Sequence, residues 1–365
     1  MQNKLGLITL ENTKELGTSV VENLCKISGM DEKEFLVPIE EVKFGDGTGK
    51  VVIKKSVRDR DLYILSDTEN PECSYQMYGH TNFKSPDDHY VDLRRVLSAI
   101  SGHTKDYTVF MPFLYSSRQH SGRNYESDDC ADALKDLARD GVKAIVTHDA
   151  HSDGVKHALA RTPVEFQNIF ATNYIIKAFL DNEDIDINNL VVVSPDEGAI
   201  KRAKYYAGVF RCNMGMCYKL RDLTRVINGK NPILEHIYIG PDVKGKDVVV
   251  VDDMIASGGS ILDTARLLKE QKANKIYLVS TFALFTEGLD FIRKKYDEKT
   301  FNKMYSTNLT YGHKKAENEN WFYPVDCSYQ IAEIIYNMYM HESLNSIVNI
   351  KPELLDEVMK RKLKR

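Results

Sequence analysis

One stretch of the sequence, Lys246–Ser260, constrains the fold more than any other part of the chain. It contains a run of four valines, then Asp252 and Asp253, and it ends in a turn of small residues. An unbroken run of β-branched residues is typical of a strand that is covered on both faces, as in a parallel sheet. Apolar residues recur at helical spacing from Ile261, so we expect a helix to begin near Ser260. The stretch therefore predicts a strand–turn–helix unit of an α/β fold.

The turn of this unit has the chemistry of a sugar-phosphate site. Because its side chains are small, backbone N–H groups at the positive end of the helix can surround an anion. The two carboxylates follow the strand, where open α/β sheets bind ligands, and they can accept hydrogen bonds from vicinal hydroxyls. The alternative is an ordinary joint between a strand and a helix. The candidate residues for a sugar phosphate are Asp252, Asp253, Ala256, Ser257, Gly258, Gly259 and Ser260.

These residues resemble the phosphoribosyl pyrophosphate motif shared by phosphoribosyltransferases and ribose-phosphate pyrophosphokinases. A P-loop has a different pattern, since it ends in Gly-Lys-Ser/Thr and has no leading carboxylate pair. Family members often have a third acid where this chain has Ala256, which we interpret as a change in ribose contacts. The resemblance implies that the phosphate of ribose 5-phosphate binds the turn and that its 2- and 3-hydroxyls bind Asp252 and Asp253.

Composition restricts the class of protein further. The chain has 365 residues, 42% of them apolar and 28% charged, which predicts about two globular domains. A net charge of -4 gives no electrostatic basis for binding nucleic acid or a membrane surface. The sequence lacks a signal-peptide pattern and any apolar run near the roughly 20 residues of a membrane helix. Its six scattered cysteines form no CxxC pair, so we expect reduced thiols and a cytoplasmic location.

Strand and helix patterns alternate along the chain, which favours parallel sheets with helices on their faces. Together with the resemblance, they predict an α/β protein of two phosphoribosyltransferase-like doubly wound domains with mainly parallel sheets. Segments Asn228–His236 and Gly312–Asn320 are predicted as loops, and 352–365 as a helix. The predicted domains are an N-terminal domain of residues 1–166, rejoined by 325–345, a C-terminal domain of residues 167–324, and a helical tail of residues 346–365.

A second candidate site follows the predicted strand Thr108–Phe113. Arg118 is a permanent cation whose planar donor fork suits phosphate, although taken alone it fits a surface arginine better. In its context, Arg118 with Gln119 resembles the family's Tyr-x-Arg-Gln-Asp segment, which contacts ATP. His120 stands where the family has Asp. The resemblance therefore implies that Arg118 and Gln119 bind ATP.

Histidines and acids cluster after the next predicted strand, and two kinds of metal site compete. One is a transition-metal site formed by His148, Asp149, His151, Asp153 and His157. The other follows from the resemblance, because Asp149-Ala150-His151 matches an Asp-x-His motif whose His helps to hold magnesium, with Asp196 of Ser-Pro-Asp-x-Gly as the companion acid. We favour Mg2+ because Asp196, at the end of another predicted strand, supplies that companion acid. Mg2+ prefers oxygen ligands and keeps several waters, so few protein ligands suffice. Polar loop histidines without a ligand are the third interpretation.

The segment Tyr218–Asp222 begins a predicted polar loop, and within it Lys219 and Arg221 are two residues apart. In an extended segment they project to the same side, where two cations could clamp a polyphosphate whose charge grows in the transition state. A solvated basic loop is the alternative. The pair is similar to the family's Lys-x-Arg, which opens a flexible catalytic loop, so the resemblance implies that both residues are catalytic.

Phe44 and Asp46 lie in a predicted turn before the strand Val51–Ile53. This turn resembles the family's Phe-Ser-Asn/Asp-x-Glu turn, which reaches the adenine of a neighbouring subunit, although Thr48 replaces the Glu. The resemblance implies that Phe44 and Asp46 bind ATP across a homo-oligomer, with a dimer as the building unit or a hexamer. An ordinary β-turn between two strands explains the same residues locally.

The spaced motifs run in one order from about Val37 to about Ser343, and together they resemble a divergent ribose-phosphate pyrophosphokinase. That family transfers the pyrophosphoryl group of ATP to the C1 hydroxyl of ribose 5-phosphate, giving 5-phosphoribosyl 1-pyrophosphate and AMP for nucleotide biosynthesis. The resemblance therefore implies an Mg2+-dependent enzyme. Two alternatives stay open. One is a phosphoribosyltransferase, which would share only the central stretch, and the other is a catalytically weak regulatory homologue, which Thr48, His120 and Ala256 favour.

Overall fold

The computed structural model describes residues 4–104, 106–119, 125–221, 224–225 and 233–363. Within these ranges, the side chains of Asp153, Lys219, Arg221 and residues 233–235 are outside the description. The chain divides into two compact units, and each is described by itself. Unit 1 contains Met1–Ala171, Asn308–Gly312 and Asp326–Val348, and unit 2 contains Thr172–Thr307, His313–Val325 and Asn349–Arg365.

Strands and helices alternate along the chain, as the sequence predicts. In chain order the strands are β1 (Lys4–Thr9), β2 (Ile39–Lys43), β3 (Gly49–Ile53), β4 (Arg60–Leu65), β5 (Ser74–Met77), β6 (His80–Phe83), β7 (Asp106–Phe110), β8 (Ala144–His148), β9 (Glu165–Ile169), β10 (Leu190–Ser194), β11 (Asn213–Arg221), β12 (Ile233–Ile239), β13 (Asp247–Ile255), β14 (Ile276–Ala283), β15 (Lys303–Thr307) and β16 (Phe322–Val325). The α-helices are α1 (Lys14–Ser28), α2 (Glu32–Phe35), α3 (Pro86–Ile100), α4 (Asp129–Arg139), α5 (Thr172–Asn182), α6 (Ile200–Phe210), α7 (Gly259–Glu270), α8 (Asp290–Asp297), α9 (Ser328–Tyr339), α10 (Asn345–Val348) and α11 (Pro352–Leu363).

Unit 1 is built on a sheet with the strand order β1-β4-β7-β8-β9, and all of its neighbouring pairs are parallel. Its central positions are apolar because both faces are covered: Ile64, Val109 and Ile145 have 0% exposure. Two antiparallel hairpins, β2–β3 and β5–β6, lie outside this sheet. Since β4, β7 and β8 are parallel neighbours, the segments that follow them leave the sheet at one edge.

Unit 2 is built on a larger sheet with the strand order β12-β11-β10-β13-β14-β15-β16. Every pair is parallel except β11–β12. The valine run Val248–Val251 lies in β13, is at most 1% exposed, and is flanked by β10 and β14. The predicted strand covered on both faces is therefore confirmed. Helix α7 begins at Gly259, one residue before the predicted start.

The antiparallel edge of unit 2 differs from the sequence prediction. We predict a loop over Asn228–His236, but β12 begins at Ile233 and pairs with β11, while 226–232 lie outside the described residues. Glu235 and His236 interrupt the apolar pattern, and only the pairing with β11 reveals the strand. An edge strand is paired on one side, so it tolerates such polar residues.

The C-terminal helix confirms the prediction for 352–365, since α11 spans Pro352–Leu363 in unit 2. Its apolar residues Leu354 and Val358 are buried, and the Arg361 guanidinium donates to the carbonyl oxygen of Glu183 at 2.9 Å. Across the part of the chain that the structure describes, no helix is both long and apolar enough to span a membrane.

Candidate functional site

Asp196, a predicted metal ligand, lies at the carboxyl edge of the unit 2 sheet, beside the end of β13. Strands β10 and β13 are parallel, with Val193 opposite Val250, so the segments that follow them leave the sheet side by side. Asp196 follows β10, and its Oδ1 accepts hydrogen bonds from the N–H groups of Gly198 at 2.9 Å and Ala199 at 3.2 Å. These bonds fix the Asp196 carboxylate at the edge where parallel sheets bind ligands.

Two further acids, Asp252 and Asp253, lie near the end of β13. The N–H of Asp253 donates to Asp252 Oδ1 at 2.9 Å, and the N–H of Met254 donates to Asp253 Oδ1 at 2.7 Å. Burial raises the pKa of the Asp252 carboxyl well above its usual range, and the negative charges of Asp253 and Asp196 raise this pKa further. The N–H of Asp253 and the charge of Arg202, in α6, act in the opposite direction. The three linked acids would therefore be stabilised by hydroxyl donors or by a cation.

The turn between β13 and α7 has the conformation that its glycines allow. Gly258 has a φ of +82°, and a Cβ at this position would lie 3.2 Å from Leu262 Cδ1 and 3.4 Å from Ile292 Cγ1. The N–H of Gly259 donates to Ser257 Oγ over a long 3.5 Å. Because the first N–H groups of a helix have no carbonyl partner within it, the start of α7 offers donors to an anion at this turn.

The predicted catalytic residues Lys219 and Arg221 lie at the end of β11. Their backbones pair with His236 and Ile233 of β12, with a register shift after Leu220. We predict that a polar loop begins at Tyr218, whereas the strand continues to Arg221, because the antiparallel partner extends the ladder. The side chains of Lys219 and Arg221 lie outside the described residues, so their catalytic role stays a prediction.

In unit 1, the predicted ATP-binding residues Arg118 and Gln119 follow β7 in a tight turn. Ser116 has a φ of +52°, and the N–H of Gln119 donates to Ser116 O at 2.8 Å. The Gln119 side chain donates to the carbonyl oxygen of Ser127 at 2.6 Å. Burial raises the pKa of the Glu69 carboxyl, and the charge of Arg118 opposes this rise. Arg118 is exposed and accessible to an anion, whereas Gln119 already has an intramolecular partner.

The predicted magnesium ligand His151 lies beside this turn. Its backbone N–H donates to Ser117 Oγ at 3.3 Å. Two residues earlier, Asp149 has a φ of +41°, which is uncommon for a residue other than glycine, and its N–H donates to Ile169 O at 2.7 Å. The structure therefore brings the Arg118 segment and the His151 segment together at the carboxyl ends of β7 and β8.

His148 does not take part in a histidine cluster. It is 0% exposed, and burial lowers its pKa to about 4, although Gln330 opposes this shift. The His148 ring faces Phe110, with 5.8 Å between ring centroids, so it is a neutral core histidine. Among the side chains that the structure describes, no three of the types His, Cys, Asp and Glu are placed to hold one metal ion. The burial of His148, one of the five ligands of the transition-metal interpretation, disfavours its part in such a site.

The turn between β2 and β3 presents Phe44 and Asp46 to solvent. Phe44 is 45% exposed, and Lys50 Nζ lies 5.8 Å from the centroid of its ring. Asp46 Oδ1 accepts hydrogen bonds from the Thr48 hydroxyl at 2.7 Å and the Thr48 N–H at 3.0 Å, and these bonds lower the pKa of Asp46. Asp46 therefore shapes the turn, while the Phe44 ring is free to stack on a planar ligand.

Two charged residues near these groups are absent from the sequence predictions. Arg202 acts on Asp252 in unit 2, and Glu69 is close to Arg118 in unit 1. Neither belongs to a motif, and each is separated from its partner by about 50 residues in sequence. The sequence feature that could have identified them is their position after a predicted buried strand, because the carboxyl ends of β10 and β4 lie at these sites.

Two protein-family models match two successive regions of the chain. A family model for the N-terminal domain of ribose phosphate pyrophosphokinase matches residues 5–141, and the phosphoribosyl transferase domain model matches residues 168–311. A ribose-phosphate pyrophosphokinase of Mycoplasma genitalium is 26% identical over 293 residues, which cover 80% of this chain and 79% of that protein. One from Porphyromonas gingivalis is 25% identical over 350 residues, which cover 95% of this chain and 98% of that protein.

The fold also has a solved counterpart. The crystal structure of phosphoribosylpyrophosphate synthetase from Mycobacterium smegmatis matches with a TM-score of 0.72 and 22% identity, covering 93% of this chain and 99% of that chain. At this identity the match establishes the fold, namely α/β with mainly parallel sheets and a phosphoribosyltransferase-type unit. From the two matched models and the full-length relatives, the chain belongs to the ribose-phosphate pyrophosphokinase family, a family of transferases.

Proposed function

We propose that the chain is a ribose-phosphate diphosphokinase. It transfers the pyrophosphoryl group of ATP to the C1 hydroxyl of ribose 5-phosphate, giving 5-phosphoribosyl 1-pyrophosphate and AMP for nucleotide biosynthesis. The observation that carries the proposal is the group of linked acids, Asp196, Asp252 and Asp253, beside the N-terminus of α7. A pentose phosphate fits this arrangement because it combines a vicinal diol with a phosphate.

The pentose phosphate would bind within unit 2. Its 2- and 3-hydroxyls would donate to Asp252 and Asp253. Burial and the neighbouring acids raise the pKa of Asp252, and hydroxyl donors would favour its charged form. Its 5-phosphate would accept hydrogen bonds from the turn Ala256–Ser260 and from the start of α7. The left-handed Gly258 supports this binding mode because it leaves the turn without a bulky side chain.

ATP would use residues of unit 1. Exposed Arg118 would pair with the phosphates, and Gln119 would supply its amide oxygen, since its nitrogen already donates to Ser127. The exposed ring of Phe44, with Asp46, would reach the adenine of a neighbouring subunit. The proposal therefore includes a homo-oligomer with a dimer as its building unit.

The residues present fit Mg2+ better than a metal that needs three or four protein ligands. Mg2+ keeps several waters and is bound through one or two protein groups together with substrate phosphates. Asp196 of unit 2, which lies among acids, and His151 of unit 1 are each proposed as a Mg2+ ligand. When bound, Mg2+ would neutralise charge on the transferred phosphoryl groups.

The chain's own groups would act by positioning and by charge. Asp252 and Asp253 would orient the sugar so that its C1 hydroxyl attacks the β-phosphorus in line, which converts binding energy into alignment. Lys219 and Arg221 would stabilise the negative charge that develops on the phosphoryl oxygens. Such a reaction needs little covalent chemistry from the protein.

The proposed cellular setting is the cytoplasm. None of the six cysteines forms a disulfide, which fits a reducing compartment. The proposed partners are ATP, ribose 5-phosphate and further copies of the chain, with no nucleic acid and no membrane.

The test is an assay of purified full-length protein with MgCl2, ATP and ribose 5-phosphate, in which AMP and the pyrophosphorylated sugar are both quantified. We expect equal amounts of the two products, and about 10- to 100-fold less of both from an Asp252→Asn control at the same concentration and at subsaturating ribose 5-phosphate. Absence of AMP from the unmodified protein would favour a regulatory homologue. Pyrophosphate release from added 5-phosphoribosyl 1-pyrophosphate and a free base would favour a phosphoribosyltransferase.

A further inference from the structure

Tyr115 immediately precedes the turn that carries Arg118 and Gln119, and it is held by helix α3. Its ring stacks on the ring of Tyr90, with 4.4 Å between centroids and 10° between planes. Its hydroxyl donates to Asp87 Oδ1 at 2.7 Å. Both partners lie in α3, so one helix fixes the plane of the Tyr115 ring as well as the position of its hydroxyl.

Helix α3, which supplies these contacts, is itself held by hydrogen bonds. Ser85 caps its N-terminus with a capping box, in which Ser85 Oγ accepts the N–H of Asp88 at 3.2 Å and Asp88 Oδ2 accepts the N–H of Ser85 at 3.0 Å. Tyr90 is buried, and its hydroxyl donates to Ala133 O of α4 at 2.8 Å. Asp87 therefore lies in the first turn of a capped helix. The Tyr90 side chain extends from α3 and is held by its hydrogen bond to α4.

The backbone between Tyr115 and Arg118 forms a short turn that is held by hydrogen bonds. Ser116 is in the left-handed region, with a φ of +52°, and Ser117 is 2% exposed with its Oγ accepting the N–H of His151. The N–H of Gln119 returns to Ser116 O at 2.8 Å. With both ends of this short turn fixed, its geometry depends on where Tyr115 enters it.

We propose that Tyr115, held by Tyr90 and Asp87, is a positioning residue that aims Arg118 and Gln119 at the nucleotide. This inference deepens the proposed function and rests on it for the identity of the ligand. The stacked ring supplies orientation, and the hydrogen bond to Asp87 selects one rotation of the side chain. Burial, together with the bond to Asp87, raises the pKa of Tyr115 to about 12, so its hydroxyl stays a donor throughout the neutral range.

The test compares Tyr115→Phe, Asp87→Ala and the double variant by calorimetric binding of a non-hydrolysable ATP analogue with Mg2+. The bond between Tyr115 and Asp87 holds the site in its binding conformation, so its loss, at about 1 kcal/mol, should weaken analogue binding by no more than roughly fivefold in each single variant. The double variant should be no weaker than either single one, because both remove the same bond. Asp87→Asn should restore binding, since its amide oxygen still accepts the hydroxyl. The KM for ribose 5-phosphate should not change, and the fall in Tm should be no larger than that of a control variant that loses a comparable hydrogen bond elsewhere in unit 1.

Tyr107→Phe is the matched control, because Tyr107 is a buried tyrosine of the same unit whose hydroxyl donates to Asp140 O, away from the turn. It should bind the analogue as the unmodified protein does. Unchanged analogue binding in Tyr115→Phe, or additive losses in the double variant, would overturn the positioning role. Because analogue binding is measured without turnover, an inactive protein would refute the proposed function while the Tyr115 inference could still hold.

Discussion

Asp67 offers the sharpest test of the energetics of unit 1. It follows β4, is 3% exposed, and accepts two backbone hydrogen bonds, from the N–H of Glu69 to Oδ1 and from the N–H of Tyr311 to Oδ2, both at 2.9 Å. It thereby ties the returning segment 308–312 to the end of β4. Burial raises its pKa to about 7, against the opposing effect of the two N–H donors.

The sign of the resulting pH dependence follows from linkage. The folded state holds the Asp67 proton more tightly than the unfolded chain, whose ordinary aspartate pKa is about 3.9. The stabilising contribution of the protonated group is therefore complete below about pH 4 and is lost as pH rises to about 7. Between pH 5 and pH 8, a folded pKa of about 7 corresponds to a loss of roughly 2–3 kcal/mol of folding free energy.

The Asp67→Asn variant removes this titration while keeping the size of the side chain. The variant also loses one hydrogen-bond acceptor, which lowers its folding free energy by the same amount at every pH. The comparison therefore uses the change of folding free energy with pH and not its absolute value. Urea denaturation followed by circular dichroism at pH 5 and pH 8 should show that the unmodified protein loses roughly 2–3 kcal/mol more folding free energy than the variant between these two pH values. The single Trp321, buried in unit 2, gives a fluorescence signal that separates unfolding of that unit.

The control is Asp46→Asn, in an exposed turn where hydrogen bonds from Thr48 lower the pKa of Asp46. A lowered pKa confines its titration to acidic pH, so this variant should keep the slope of the unmodified protein between pH 5 and pH 8. If Asp67→Asn and the unmodified protein have parallel pH profiles, Asp67 is ionised in the folded state and the reasoning fails.

Three further predictions concern unit 2. Lys219→Ala should lower kcat by about two to three orders of magnitude, as expected for one transition-state donor, and near-normal turnover would exclude that role. Asp252→Asn should weaken ribose 5-phosphate binding, measured by calorimetry, by about 10- to 100-fold, because a charged acceptor is lost. An equal loss of ATP-analogue binding would contradict a role specific to the sugar. Gly258→Ala should lower the folding free energy by about 1–2 kcal/mol, because alanine is disfavoured at a φ of +82° and its Cβ would approach Leu262. An unchanged Tm would contradict this prediction and show that the turn relaxes.

The sequence predicts most of the fold because its strongest patterns are local. The valine run predicts β13 and its parallel neighbours, and the small residues after Asp253 predict the turn before α7. The prediction fails at β12, because an edge strand is specified by its partner β11 rather than by its own apolar pattern. It also leaves His148 as a metal candidate, because burial, which makes this histidine neutral, is not visible in a local pattern.

The sequence by itself determined the α/β class, the order of the motifs and the residues that could bind a sugar phosphate, since each of these depends on neighbours within a few positions. Tertiary structure alone decided which charges act on one another and which side chains are held in place. Asp196 and Asp252 are 56 residues apart in sequence, and Tyr90 and Tyr115 are 25 apart, yet each pair interacts. Such pairs arise from parallel strand order and helix packing, because electrostatic and stacking energies depend on distance in space and not along the chain.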